Sequence, residues 1–154
     1  MLVVCVGGGG LLAGSAVTAR ALLPGVKVVG VEPQASPDWQ RSLAAGERTR
    51  VEIGRTIADG QQLDIPGRLT WAAAAGLLDQ VVTVTDAQIA ATMRLVFERL
   101  RVVLEPSGAS ALAAVLSGQI DVRGQRVGVT LSGGNVDVTR FTTILAELDP
   151  VGQG

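Results

Sequence analysis

The chain alternates short apolar, β-branched runs with longer segments whose apolar residues recur at helical spacing. The runs at 2–6, 27–31, 80–84 and 126–131 are bounded by glycine, proline or polar clusters and predict buried strands. The segments 11–22, 38–45, 69–77, 107–116 and 136–148 carry the patterns of helices. The best-signalled helix starts at Thr85-Asp86-Ala87-Gln88, which has capping-box spacing, and continues with Ile89, Met93, Val96, Phe97 and Leu100 on one apolar face. Strands separated by helices predict an α/β fold, a parallel sheet with helices on both faces. The stretch 46–67 reads as a long irregular connection, and 149–154 as a frayed tail.

Two strand ends carry the candidate chemistry. The first strand runs into Gly7, Gly8, Gly9 and Gly10, and Leu11 opens a helix. Successive glycine amides can turn toward an anion, and a helix N-terminus adds unpaired donors and the positive end of its dipole. Four glycines cost more backbone entropy than a turn needs, which points to a bound phosphate. The segment from Gly8 to Ala13 also fits G-x-G-x-x-A, with Glu32 closing the second strand where a ribose-binding acid would stand, so this segment alone also admits a nicotinamide dinucleotide. A nucleotide P-loop is disfavoured because Ser15, not lysine, follows Gly14. Ser132-Gly133-Gly134-Asn135 forms a second strand-glycine-helix turn, and two such turns can hold two ends of one ligand. Ser132 and Asn135 also suit the N-cap of the last helix, and Ser36-Pro37-Asp38 reads as a helix start with Ser36 as its cap.

Five motifs follow one another: the glycine run 7–14, Lys27-Val28-Val29-Gly30-Val31-Glu32-Pro33, Ile57-Ala58-Asp59-Gly60, Glu105-Pro106-Ser107-Gly108-Ala109, and Ser132-Gly133-Gly134-Asn135. In this order they resemble the C-terminal half of the serine/threonine dehydratase and serine racemase family over residues 3–148. The resemblance implies most of the large domain of a fold-type II pyridoxal-phosphate enzyme, with residues 1–148 as a partial cofactor-binding domain. It implies pyridoxal 5'-phosphate, or its phosphate alone, at Gly7, Gly8, Gly9, Gly10 and Leu11. Ser132 would then hydrogen-bond the pyridine nitrogen, with Gly133 beside it and Glu105 near the ring. A Mg²⁺, Mn²⁺ or Ca²⁺ ion is implied at Glu32, Asp38 and the Ser36 carbonyl, oxygen ligands suited to these cations. Asp59 and Gly60 match a scaffolding loop near the site.

Members of that family hold the cofactor on a lysine in a Ser-x-Lys-x-Arg-type motif of the N-terminal half, and these 154 residues contain no such motif. The single lysine, Lys27, stands at the start of the second strand, away from the glycine turn, and reads as a solvated side chain. The implied activity is elimination from threonine or serine to a 2-oxo acid and ammonia. The isolated chain is expected to lack it and to regain it from a lysine-bearing N-terminal half chain. A serine racemase-like half, a homo-oligomer, and a non-catalytic ligand- or cation-binding module are the other readings. A net charge of −1 with no basic, aromatic-interleaved stripe argues against a nucleic-acid surface. Arg48, Arg50 and Arg55 read as a solvated loop face. No apolar run reaches the ~20 residues of a membrane-spanning helix and no signal peptide opens the chain, so a cytoplasmic location is expected. Histidine is absent, Cys5 reads as a buried small hydrophobe, and Trp39 and Trp71 as packing residues.

Overall fold

The computed structural model describes residues 1–147, so Leu148 and the 149–154 tail lie outside the described residues. Strands β1 (Leu2–Cys5), β2 (Val28–Pro33), β3 (Gln80–Val84) and β4 (Gly128–Val129) form one parallel sheet in the order β3-β2-β1-β4. Every residue of β2 is buried, as its near-continuous apolar run requires of a strand covered on both faces. Gly30 lets the covering layer approach: a Cβ there would stand 3.1 Å from Val81 and 3.3 Å from Leu12.

Side-chain alternation along the strands divides the core into two layers. Val4, Val6 and Val28 face Leu12, Ala13 and Ala16 of α1 (Gly10–Leu22), Trp39 of α2 (Asp38–Ala45) and Ala74 of α3 (Arg68–Ala74). Val3, Cys5, Val29 and Val31 face Ile89, Met93 and Val96 of α4 (Asp86–Leu100), Ala109 and Ala113 of α5 (Pro106–Leu116), and Phe141 and Ile144 of α6 (Val138–Glu147). The capping box at Thr85 and Gln88 is formed, with the Gln88 amide donating to Thr85 Oγ1 (3.2 Å) and the Thr85 amide to Gln88 Oε1 (2.9 Å). Among the described residues no helix is long and apolar enough to cross a membrane.

Several local expectations are corrected. The strand expected at 126–131 is ladder-paired only over Gly128–Val129; among the described residues β4 has β1 on one side and no strand on the other. β2 instead runs on to Pro33, since β3 continues alongside it in the register Glu32↔Thr83 and Pro33↔Val84. Residues 75–77 tighten into a 3-10 turn after α3. Phe97 and Leu100 of α4 are largely exposed, although Phe97 meets Phe141 edge-on at 5.4 Å. Ser36 does not cap α2; Pro37 occupies that position, and the Ser36 hydroxyl bonds the backbone of Leu63. Nor do Ser132 or Asn135 cap the last helix, which starts at Val138 with the Asp137 carboxylate accepting from the Arg140 amide (2.8 Å). Of the three loop arginines, Arg50 and Arg55 are exposed as expected, with Arg50 paired to Asp64, while Arg48 is half-buried and donates to the Pro66 carbonyl (2.8 Å).

Candidate functional site

In an open parallel sheet, ligands bind beyond the carboxyl ends of the strands where the strand order reverses. Here β1 is followed spatially by β2 on one side and by β4 on the other, so the reversal lies between β1 and β4. Both glycine turns emerge there. A cavity of about 240 Å³ is lined by Cys5, the four glycines Gly7 to Gly10, Leu11, Gly60, Gln61, Glu105, Ser107 and Ser132.

The glycine turn is held from behind by side-chain donors. Trp39 Nε1 donates to the Gly7 carbonyl (2.8 Å) and Thr70 Oγ1 to the Gly8 carbonyl (2.6 Å). Gly9 has φ +92°, and a Cβ on it would lie 2.3 Å from the Trp39 ring and 2.7 Å from Thr70 Oγ1. A Cβ on Gly7 would lie 2.6 Å from the Gly60 carbonyl oxygen, whereas one on Gly10 would meet nothing within 4 Å. Glycine at 7 and 9 is therefore demanded by packing, while at 10 the protein itself makes no such demand. The amides of Gly10, Leu11 and Leu12 lie in the first turn of α1, where a helix offers them no acceptor.

The opposite wall comes from the second turn. Ser132 Oγ lies 3.1 Å from Cys5 Sγ. Gly133 is not among the cavity-lining residues; it sits behind Glu105, where a Cβ would come within 2.1 Å of the carboxylate, and its carbonyl accepts from the Glu105 amide (3.0 Å). Three features of this site were given no role by the sequence pattern, although Ser107 stands within one of the five motifs. Ser107 Oγ is buried against the cavity without a hydrogen-bond partner. Gln61 is buried and donates from Nε2 to the carbonyls of Val6 (2.9 Å) and Val31 (2.8 Å), joining the ends of β1 and β2. Arg140 braces the loop beside them, bonding Asp59 Oδ2 and the Ile57 carbonyl at 2.8 Å each.

Glu32, Ser36 and Asp38 form a separate cluster outside this cavity. Both carboxylates are buried. Glu32 accepts from the amides of Trp39 (3.0 Å) and Gln40 (2.8 Å), and neither Asp38 oxygen has a hydrogen-bond partner. Burial pushes Glu32 up to about 8, with the neighbouring Asp38 charge adding to it, and burial pushes Asp38 up to about 6. Two buried carboxylates with two orphaned oxygens call for a proton or a cation between them. Among the described residues no group of three or more His, Cys, Asp and Glu side chains gathers in a metal-holding geometry, so any ion here would need backbone oxygen as well. This burial also rules out Glu32 as a ribose contact, which removes the acid that a dinucleotide reading of the glycine turn requires. Lys27 is exposed beside a different cavity, with Met1, Asp79 and Asp121, at the opposite, amino end of the strands.

Comparison with known proteins agrees with this geometry. The chain is 41% identical over 145 residues to an L-threo-3-hydroxyaspartate ammonia-lyase of Saccharomyces cerevisiae, covering 94% of this chain and 44% of the relative. It is 37% identical over 146 residues to a serine racemase of Schizosaccharomyces pombe, covering 95% and 45%. The crystal structure of serine racemase from Dictyostelium discoideum superposes with a TM-score of 0.82 at 40% identity, over 89% of this chain and 44% of that one. The chain thus spans less than half the length of these relatives. The sequence model described as pyridoxal-phosphate dependent enzyme matches residues 1–133, a span that includes every residue lining the cavity, from Cys5 to Ser132. By that match, and by the cavity those residues build, the chain belongs to the pyridoxal-phosphate dependent enzyme family.

Proposed function

We propose that this chain is the cofactor-binding portion of an ammonia-lyase that eliminates the hydroxyl of threonine or serine to yield a 2-oxo acid and ammonia. The observation that carries the reading is the cavity at the sheet's order reversal, where the Gly7 to Gly10 turn, Ser132 of the second turn and the unpartnered Ser107 hydroxyl face one space of about 240 Å³. These residues fit a phosphorylated pyridine. Gly7 to Gly10 and Leu11 offer backbone donors to the phosphate, and Ser132 offers a hydroxyl to the ring nitrogen. Glu105 lines the same cavity and would lie near the ring. When bound, pyridoxal phosphate supplies the electron sink for breaking bonds at an amino acid's α-carbon.

A neutral hydroxyl at the ring nitrogen does not hold it protonated as a carboxylate would, which favours elimination over chemistry needing a stronger sink. The Glu32 and Asp38 carboxylates, with the Ser36 carbonyl, would hold Mg²⁺, Mn²⁺ or Ca²⁺, a reading supported by the orphaned Asp38 oxygens. Within these residues the one lysine lies at the amino end of the strands, away from the cavity at their carboxyl ends. A lysine-bearing segment equivalent to the rest of the relatives' length would therefore complete the site. A racemase reading is supported by the similarity to the serine racemases.

The test is a coupled 2-oxo-acid assay with threonine and with serine. The chain is assayed alone and mixed with a separately produced lysine-bearing segment, with borohydride trapping to locate any cofactor-lysine bond. Activity only in the mixture, with the trapped bond outside Lys27, is expected. Turnover by the chain alone through an adduct at Lys27, or racemisation without oxo acid in the mixture, overturns it.

A further inference from the structure

Cys5 ends β1, and the register of β1 with β4 brings its thiol 3.1 Å from the Ser132 hydroxyl, 127 residues away in sequence. The two groups hold two protons and share one contact, so the direction of that contact decides what Ser132 shows to the cavity. If the hydroxyl donates to sulfur, the cavity meets only oxygen lone pairs and suits a protonated ring N–H. If the thiol donates to oxygen, the hydroxyl proton is free to point outward. We propose that Cys5 is a positioning residue whose S–H donates to Ser132 Oγ, turning the Ser132 O–H into the cavity as a donor for an unprotonated aromatic ring nitrogen.

This rests on the pyridoxal-phosphate reading above. A hydroxyl is a much better donor than a thiol, and a ring nitrogen a better acceptor than sulfur, so the strongest pairing spends the hydroxyl proton on the ligand. The weaker thiol proton then satisfies the oxygen, and bonds in such a chain strengthen one another. Burial raises the thiol above its ordinary range, so the S–H persists at neutral pH. The unpartnered, buried Ser107 Oγ on the same cavity independently marks it as built for a polar ligand.

Cys5 is the sole cysteine, so the S–H stretch appears as a single infrared band in a window free of other protein absorption. The probe is pyridoxine 5'-phosphate, which has the ring nitrogen and phosphate but no aldehyde to react with amines. Its binding is followed separately by the backbone amide signals of Gly7 to Gly10. On saturation the S–H band should move to lower wavenumber in the wild type and stay still in Ser132→Ala. Cys5→Ala should weaken binding about fivefold, the worth of one net hydrogen bond, and Cys5→Ser, which keeps a donor, should restore it. Glycine signals that shift while the S–H band does not, or equal weakening by both Cys5 variants, overturn the role of Cys5 and leave the cofactor reading standing. Glycine signals that stay still at saturating probe overturn both. The wild-type infrared comparison needs no variant to fold.

Discussion

The buried carboxylates Glu32 and Asp38 make stability depend on pH in a direction opposite to that of an ordinary ion-paired acid. Burial holds Glu32 near 8 and Asp38 near 6, against ordinary values of 4.5 and 3.8. Between about pH 4 and pH 8 the folded chain therefore keeps protons that the unfolded chain has released. Stability present at low pH is lost as pH rises through that window. A tenfold change in acidity is about 1.4 kcal/mol. With both carboxyls raised, the pair's loss is on the order of several kcal/mol, a large part of a typical domain's stability. A divalent cation binds the deprotonated pair, so it should stabilise strongly at pH 8 and little at pH 5. At a concentration 100-fold above its dissociation constant the gain is about 2.7 kcal/mol, or roughly 5–10 °C in melting temperature for a chain of this size. The assay is thermal unfolding at pH 5, 6.5 and 8, with chelator and with Mg²⁺ or Mn²⁺, on the wild type and on Asp38→Asn. The amide keeps the shape but removes one charge, so it should abolish the cation's effect and lessen the pH dependence, leaving the part that comes from the burial of Glu32. A chelated protein with the same melting temperature at pH 5 and pH 8, or a cation effect that survives Asp38→Asn, refutes the reasoning.

The glycine turn separates packing from ligand binding. Gly9→Ala meets both positive φ and the Trp39 ring, and should cost about 2–4 kcal/mol in urea unfolding. Gly10→Ala has open space and should stabilise by about 0.4–1 kcal/mol while weakening phosphate binding by about tenfold in an amide NMR titration; unchanged phosphate affinity would remove the anion site from Gly10. Gln61→Leu strips the side-chain donor from the Val6 and Val31 carbonyls and should lower stability by about 1–3 kcal/mol, read as a shift of the urea midpoint at unchanged slope. No shift would mean that these carbonyls find other partners.

The sequence by itself determined what is local. Periodicity located each strand and α-helix of the described region, though not the 3-10 turn Asp59–Gln61, and the Thr85-Gln88 box set the start of α4, because hydrophobic spacing and capping act over three or four residues. The two glycine turns and Ser132 were legible as ligand-binding candidates for the same reason: a strand ending in glycines before a helix is a short-range pattern. Strand order was not legible, since adjacency depends on how the crossovers pack, and that order puts the turns after β1 and β4 around one cavity. The short ladder of β4 was not legible either, since no run of valines reports where pairing stops. Ser36 and Ser132 had the chemistry of caps, yet Ser36 found a backbone partner in Leu63 and Ser132 a thiol in Cys5, both brought near by tertiary packing. Only the folded chain decided that Gln61 would tie β1 to β2, that Ser107 would be left unpaired in the cavity, and that Glu32 and Asp38 would share one buried space. The energy of a polar group is set by which partners and how much water surround it, and both are properties of contacts between residues distant in sequence.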